Sequence, residues 1–125
     1  MKKKFNDIKR LTEFDKDFKK LLKKYRSLEE DLDAFIDNQL VLYHKLNVDN
    51  NGIFQIPNLG FEEPKIYKAK KFACKALKGK GVQSGIRIVY AHYPDEDMLE
   101  FIEIYHKSDK ENEDRERIRR YYAKN

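Results

Sequence analysis

The sequence has few of the residues that build disulfide frameworks, metal centres or membrane spans. Its single cysteine, Cys74, excludes an intramolecular disulfide and a cysteine-based zinc site. Apolar and basic neighbours flank this cysteine, which favours a small buried thiol over a reactive one. No apolar run approaches the roughly 18 residues of a membrane span, and no apolar stretch of a signal peptide follows the basic residues 2–4. We therefore expect a cytoplasmic protein without a membrane partner.

Acidic side chains are absent between Lys65 and Pro94. The same stretch contains eight basic residues, namely Lys65, Lys68, Lys70, Lys71, Lys75, Lys78, Lys80 and Arg87. The whole chain carries 27 Lys and Arg against 22 Asp and Glu, so without these eight the balance is 19 against 22. The net positive charge thus belongs to one segment, and such a localised field is typical of a site for a polyanion.

The common catalytic constellations are missing as well. The chain has three histidines, and they are not at metal-ligand spacing: His44, His92 and His106. The glycines of Lys78–Gly81 lack the spacing of a nucleotide-binding loop. The acidic run Asp95–Asp97 follows a proline and predicts a turn rather than a metal cage. We therefore expect neither a metal nor a cofactor.

Length and composition predict a single domain over residues 1–125, because 40% of the side chains are hydrophobic and can form one core. Apolar residues recur at helical intervals and predict a helical hairpin over residues 11–46. Capping-box spacing at Thr12 and at Ser27 marks the two expected helix starts. Asn, Gly and Pro then predict an irregular connection over residues 47–64, which is either a functional loop or a plain linker.

The apolar period changes to that of β-strands after residue 64. Residues 65–107 predict three strands of a sheet, and the stretch around Phe5–Arg10 adds a short first strand. A highly charged C-terminal helix is predicted over residues 109–123. Strands grouped after helices define the fold class as α+β. We expect a small antiparallel sheet of three to four strands, backed by the N-terminal helical hairpin, with the C-terminal helix added.

Strand parity sorts the side chains of this sheet between two faces. The helices need the Ile-rich face, so the opposite face should collect Lys68, Lys70, Arg87, Tyr105 and Lys107. Cations beside an aromatic ring suit the phosphates and an unstacked base of single-stranded RNA. A solubilising face is the alternative, and the missing acids favour the RNA interface. Glu103, the one acid predicted on this face, is either a proton acceptor or a salt-bridge partner.

The acid-free stretch and the strand after it contain four segments in a distinctive order: Ile66–Lys70, Leu77–Gly81, Ser84–Tyr90 and Ile102–Lys107. In order and spacing they resemble the RelE/ParE superfamily, the toxins of bacterial and archaeal toxin–antitoxin systems. The resemblance implies a small α+β domain and a cognate antitoxin as partner. It also implies a toxin that inhibits translation by cleaving mRNA in the ribosomal A site, which leaves a 2′,3′-cyclic phosphate.

The resemblance also implies roles for individual residues. Five positions match catalytic residues of the ribosome-dependent members: Lys68, Lys70, Arg87, His106 and Lys107. Further RNA contacts are expected from Lys71, Lys75, Lys78, Lys80 and Tyr105. The tyrosine that the family pattern places shortly after this basic pair is absent from Ser108–Asp114. The proton of the attacking 2′ hydroxyl would then have to be accepted by one of the lysines, by His106 or by Glu103. A ParE-like gyrase inhibitor and a non-catalytic RNA-binding protein are the alternative functions.

Overall fold

The computed structural model describes residues 4–123, so the basic residues 2 and 3 noted above lie outside the described residues. Its elements in chain order are β1 (Asp7–Arg10), α1 (Thr12–Lys24), α2 (Leu28–Phe35), a π-helical turn (Ile36–Leu40), α3 (Val41–Lys45), β2 (Ile53–Gln55), β3 (Lys65–Ala69), β4 (Ile86–Tyr93), β5 (Met98–His106) and α4 (Arg115–Tyr122). Within this part of the chain, no helix has the length and apolar character needed to cross a membrane.

The strands form one five-stranded sheet in the order β1-β5-β4-β3-β2. The predicted α+β class is confirmed, but the sheet is mixed, because β1 runs parallel to β5 while the other pairs are antiparallel. The connection predicted as irregular contains β2, which pairs with β3 through Ile53–Ala69 and Gln55–Tyr67. With three residues, β2 is too short to show the alternation of apolar and polar residues that identifies a strand in the sequence. Its extended conformation is stabilised by pairing with β3.

The helical hairpin packs on the Ile-rich face of the sheet, as predicted. Phe14 of α1 stacks on Phe101 of β5 with ring centroids 5.4 Å apart, and both side chains are fully buried. The second helical stretch continues from α2 through the π-helical turn into α3. The two helices begin where the sequence predicted, at Thr12 and directly after Ser27, but neither start has the side-chain hydrogen bond of a capping box. The Ser27 hydroxyl instead donates to the buried Asp31 carboxylate at 2.6 Å.

The other face of the sheet is covered too, which corrects the expectation of an open face. The Tyr122 hydroxyl of α4 donates to Glu100 at 2.7 Å, and Glu100 points away from the hairpin because its neighbour Phe101 points toward it. The helix begins at Arg115 rather than at residue 109, after Asp114 caps it by accepting from the Arg117 amide at 3.0 Å. Residues 107–114 therefore cross the sheet as an irregular segment, and basic side chains can reach solvent mainly at one end of the sheet.

Candidate nucleic-acid interface

An open depression of about 250 Å³ lies at the end of the sheet where β3 stops and β4 starts. Four cations line it, namely Lys70, Lys71, Arg87 and Lys107. The remaining lining residues carry no charge: Asn51, Gly52, Phe54, Gln83 and Gly85. We call this feature the basic depression. Because no acidic side chain lines it, the four positive charges are not neutralised where a ligand would bind.

The guanidinium of Arg87 is held in place by the backbone of Lys70, at the end of β3. Arg87 lies on β4 opposite Tyr105, and its Nη1 donates to the Lys70 carbonyl oxygen at 3.1 Å. Its other donors face no acidic side chain of the described residues. A planar fork with one fixed donor and several free ones matches the geometry of a phosphate oxygen pair.

Phe54 supplies the aromatic ring of the basic depression. It is an exposed residue of β2, with 47% of its surface open to solvent, and the Lys70 ammonium lies 5.2 Å from its ring centroid. Sequence reasoning missed Phe54, because it assigned the aromatic role to Tyr105. The signal was present: Phe54 belongs to a short apolar group with Ile53 and Ile56 within the turn-rich connection. An exposed ring beside a cation can stack on an unpaired base.

The connection before β3 also shapes the floor of the depression. The Lys70 amide donates to the Gly52 carbonyl at 2.7 Å, and the Lys71 ammonium donates to the Asn50 carbonyl at 2.7 Å. A Cβ atom on Gly52 would lie 2.7 Å from Cγ of Lys71, so only glycine lets the two chains approach this closely. Of the two alternatives for residues 47–64, the structure thus favours a role in building the site.

Gly85 directly precedes β4, which carries Arg87, and contacts the residues at the end of β5 next to Lys107. Its φ of +89° is in the region that side chains rarely adopt, and a Cβ would lie 2.9 Å from Nε2 of His106 and 3.3 Å from Cγ of Lys107. Its carbonyl accepts from the Lys107 amide at 2.9 Å. The glycine therefore lets the start of β4 run directly alongside the end of β5, which brings the two cations to the same depression.

His106 lies behind the depression and does not line it. It pairs with Ile86 on the hairpin face of the sheet, and its ring stacks on that of Tyr25 at 6.3 Å. Nε2 lies 3.0 Å from the Ser84 carbonyl and therefore donates to it, while Nδ1 accepts from the Ser108 amide at 3.1 Å. Since both ring nitrogens are used by the backbone, His106 would have to break a hydrogen bond before it could accept a proton.

Lys68 is on the predicted face but is not part of the depression. Its ammonium forms an ion pair with Glu113 at 2.6 Å, and only 15% of the Lys68 side chain and 6% of the Glu113 side chain are exposed. Burial raises the pKa of Glu113, but hydrogen bonds from Lys68 and Arg115 outweigh it and leave the pKa below its ordinary value. Lys68 is therefore neutralised by an acid outside the acid-free stretch, which the expectation of an open basic face did not foresee.

Tyr105 and Glu103 are covered by the segment that follows β5. Only 5% of Tyr105 is exposed, its hydroxyl has no partner among the described residues, and the Lys110 ammonium lies 5.2 Å from its ring centroid. Burial, with the charges of Glu103 and Glu113, raises the pKa of Tyr105 to about 12. Glu103 is buried in an ion pair with Lys110 and accepts from the Asp114 amide at 2.8 Å. Tyr105 cannot stack on a base here, and Glu103 acts as a salt-bridge partner.

The remaining predicted RNA-binding lysines stand on the turn beside the depression. Lys78 and Lys80 are exposed and form no ion pair with any described residue. Lys75 is exposed as well, but its ammonium lies 3.3 Å from the Glu30 carboxylate. The predicted set is thus divided between free cations at one end of the sheet and cations already paired. No group of three or more His, Cys, Asp or Glu within residues 4–123 could hold a metal ion.

No protein-family model matches the chain, and no curated protein matches it. A solved structure, the archaeal RelE–RelB complex from Pyrococcus horikoshii OT3, is similar over 88% of this chain and 100% of that chain. The identity is 12% and the TM-score is 0.49. At this level of similarity, what the basic depression can do follows from its own residues.

Proposed function

We propose that the basic depression binds single-stranded RNA and cleaves it, and that the protein is the toxin of a toxin–antitoxin system acting on mRNA in the ribosomal A site. The observation that carries the proposal is a set of four cations around one exposed aromatic ring with no acidic residue in the lining. The cations can bind the phosphates of the RNA backbone, and an unpaired base can stack on the aromatic ring. The order of the sequence motifs agrees with this assignment.

Cleavage in this site would use the 2′ hydroxyl of the RNA as nucleophile. The 2′ hydroxyl loses its proton and its oxygen forms a bond to phosphorus while the bond to the 5′ oxygen breaks. The leaving 5′ oxygen takes up a proton, so the products are a 2′,3′-cyclic phosphate and a free 5′ hydroxyl. Arg87 would hold the two non-bridging oxygens, because its guanidinium is already fixed by the Lys70 carbonyl at 3.1 Å. Lys70 and Lys107 would stabilise the charge that develops on the phosphate.

The depression is rich in charge-stabilising groups and poor in proton acceptors. Its lining holds no carboxylate and no imidazole. His106 lies behind the depression, and both of its ring nitrogens form hydrogen bonds, with Ser84 and Ser108. A positioned base contributes a factor of about 10² to 10⁴ in rate. We therefore expect slow cleavage of free RNA and much faster cleavage on the ribosome, where the RNA is held in the geometry for in-line attack.

Inducible expression followed by mapping of mRNA ends on translating ribosomes tests this proposal. Wild-type protein should arrest growth and leave A-site cuts, and Arg87→Ala should reduce the cleavage rate by about 10²-fold to 10³-fold. Arg119→Ala is the matched control, because Arg119 is an exposed arginine of α4 outside the depression. A cleavage rate of Arg87→Ala equal to that of the wild type would contradict the proposal.

Two other outcomes would identify the alternative functions. Ribosome-bound mRNA that is held by the protein but not cut would indicate a non-catalytic RNA-binding protein. Supercoiling defects with intact mRNA would indicate a gyrase inhibitor.

The antitoxin, under the same proposal, covers the basic depression with an acidic segment. Lys70→Glu with Lys107→Glu should abolish binding to such an antitoxin, because both cations face the depression without an acidic partner. Lys9→Glu is the control, since its ammonium lies on β1 beside Asp7 at 4.0 Å. An unchanged dissociation constant for the double variant would place the antitoxin elsewhere on the surface.

A further inference from the structure

A second acid-free run of the sequence lies on α1 and the turn after it. Residues 18–28 contain five basic side chains and no acidic one: Lys19, Lys20, Lys23, Lys24 and Arg26. We call them the α1 cations. All five are exposed, and none forms an ion pair with a described residue. By contrast, Arg10, Lys45, Lys65 and Arg120 each lie within 4 Å of an acidic group.

The α1 cations are held on a rigid element that faces solvent on one side only. Phe14, Phe18 and Leu21 bury the opposite side of the helix in the core. Lys19 and Lys23, like Lys20 and Lys24, are four residues apart and therefore stand about 6 Å apart along the helix axis. The two pairs form a short double row of positive charge, and Arg26 extends it beyond the end of the helix.

The end of this row lies near the basic depression. The ring of Tyr25 stacks on that of His106 at 6.3 Å, and His106 immediately precedes Lys107 of the depression. The Ser27 hydroxyl accepts from the Ala76 amide at 2.9 Å, which places the lysine-rich turn beside the end of α1. The two acid-free runs of the chain thus meet at one end of the molecule.

We propose that the α1 cations bind the phosphate backbone of an RNA duplex that adjoins the single strand in the basic depression. A single strand needs an exposed ring on which bases stack, as Phe54 provides in the depression, whereas the ring of Tyr25 is occupied by His106. A rigid row of lysines without a stacking ring suits the backbone of a duplex, which is recognised by shape and phosphate contacts. This inference rests on the proposed function for the identity of its ligand.

An anionic membrane fits the α1 cations less well. A helix that lies in a membrane surface inserts an exposed apolar side, but the apolar residues of α1 are buried against the sheet apart from the partly buried Leu22. Two exposed acids stand near the end of the row. Glu29 lines the same groove as Lys19 and Lys23, and its carboxylate is 3.4 Å from Arg10. Glu30 follows it in the chain and lies 3.3 Å from the Lys75 ammonium, so both carboxylates are partly neutralised.

Fluorescence anisotropy with two labelled probes tests the inference: a blunt RNA duplex and a single strand of the same length. Lys19→Gln with Lys23→Gln should weaken duplex binding by about tenfold and leave single-strand binding unchanged. The slope of log K against log salt should become shallower by about 0.9 for each lost phosphate contact. Lys9→Gln with Lys65→Gln is the matched control, because it removes the same charge from two lysines paired with Asp7 and Glu63.

Equal duplex affinity for the α1 double variant and the control would overturn the inference, because net charge alone would then explain the binding. The inference would also be overturned if the α1 double variant lost binding to a poly-glutamate peptide while its duplex affinity stayed unchanged. That result would favour an acidic protein partner. Arg87→Gln separates the two proposals. If it leaves single-strand binding unchanged while the α1 double variant loses the duplex, the proposed function fails and the duplex surface stands.

Discussion

The basic depression and the C-terminal segment 108–122 are both rich in basic residues, yet the cations of the depression have no acidic partner while most of those in the segment are paired. At the basic depression the cations of Lys70, Arg87 and Lys107 meet no acidic side chain. In the C-terminal segment Lys110 pairs with Glu103, and Arg117 pairs with Asp17. The density of positive charge is therefore a poor guide to a binding surface, and the position of the acids in three dimensions decides which cations are available.

Two arginines give the sharpest test of this contrast. Arg117 is 8% exposed, and its Nη1 donates to Asp17 and to the Ile102 carbonyl, each at 2.8 Å. Arg117→Ala should lower the free energy of unfolding by roughly 3 kcal/mol, because it leaves acidic groups without a partner at a covered interface. Arg87→Ala should cost under about 1 kcal/mol, since it removes one surface hydrogen bond. Urea unfolding of both variants measures the difference, and equal losses would break the comparison.

Gly85 tests whether backbone geometry, rather than charge alone, makes the depression. Gly85→Ala should destabilise the protein by about 2 kcal/mol, since the new Cβ stands in a left-handed backbone conformation and lies 2.9 Å from Nε2 of His106. RNA affinity measured below the unfolding temperature should fall as well, because Arg87 and Lys107 lose their common register. Gly79→Ala is the control: Gly79 also has a positive φ, but no atom lies within 4 Å of its Cβ position. Equal RNA affinity for the two variants would show that the register of β4 and β5 is not needed.

Glu113 tests whether a paired cation can be released. Glu113→Gln removes the partner of Lys68 and should lower stability by about 1 to 2 kcal/mol at neutral pH. It should also strengthen RNA binding, because it frees a positive charge on the same face as the depression. Unchanged RNA affinity would mean that the freed ammonium remains covered by the segment after β5.

The same variant gives a pH prediction. The pKa of Glu113 is lowered in the folded protein, so its ion pair stabilises the fold above the unfolded pKa and is lost as the pH falls through the folded value. The stability difference between wild type and Glu113→Gln should therefore shrink in acid. His44, whose pKa is lowered to about 3 by burial and by the neighbouring His92, adds acid sensitivity to both proteins and cancels in the difference. A gap that stays constant from neutral pH into acid would contradict this assignment.

The sequence could predict the strands of the site better than its surroundings. Alternating β-branched residues made β4 and β5 recognisable, and their parity correctly put Arg87 opposite the Ile-rich face. The covering of Lys68 was not predictable, because Glu113 is 45 residues away in the chain and belongs to an irregular segment. The role of Phe54 was hidden for a similar reason, since β2 is ordered only by its pairing with β3.

Tyr105 carries the smallest expected effect and completes the comparison, because it lies between the depression and the paired C-terminal segment. It is opposite Arg87 on the sheet, but its hydroxyl is buried and has no hydrogen-bond partner among the described residues. Tyr105→Phe removes a desolvated polar group without opening a cavity, so stability should stay constant or rise by up to about 1 kcal/mol. Cleavage on ribosomes should be unchanged, because a phenol with a pKa near 12 cannot act as a base at neutral pH. A loss of cleavage with stability intact would instead mean that the hydroxyl finds its partner in the bound RNA, and that the segment after β5 moves aside to admit it.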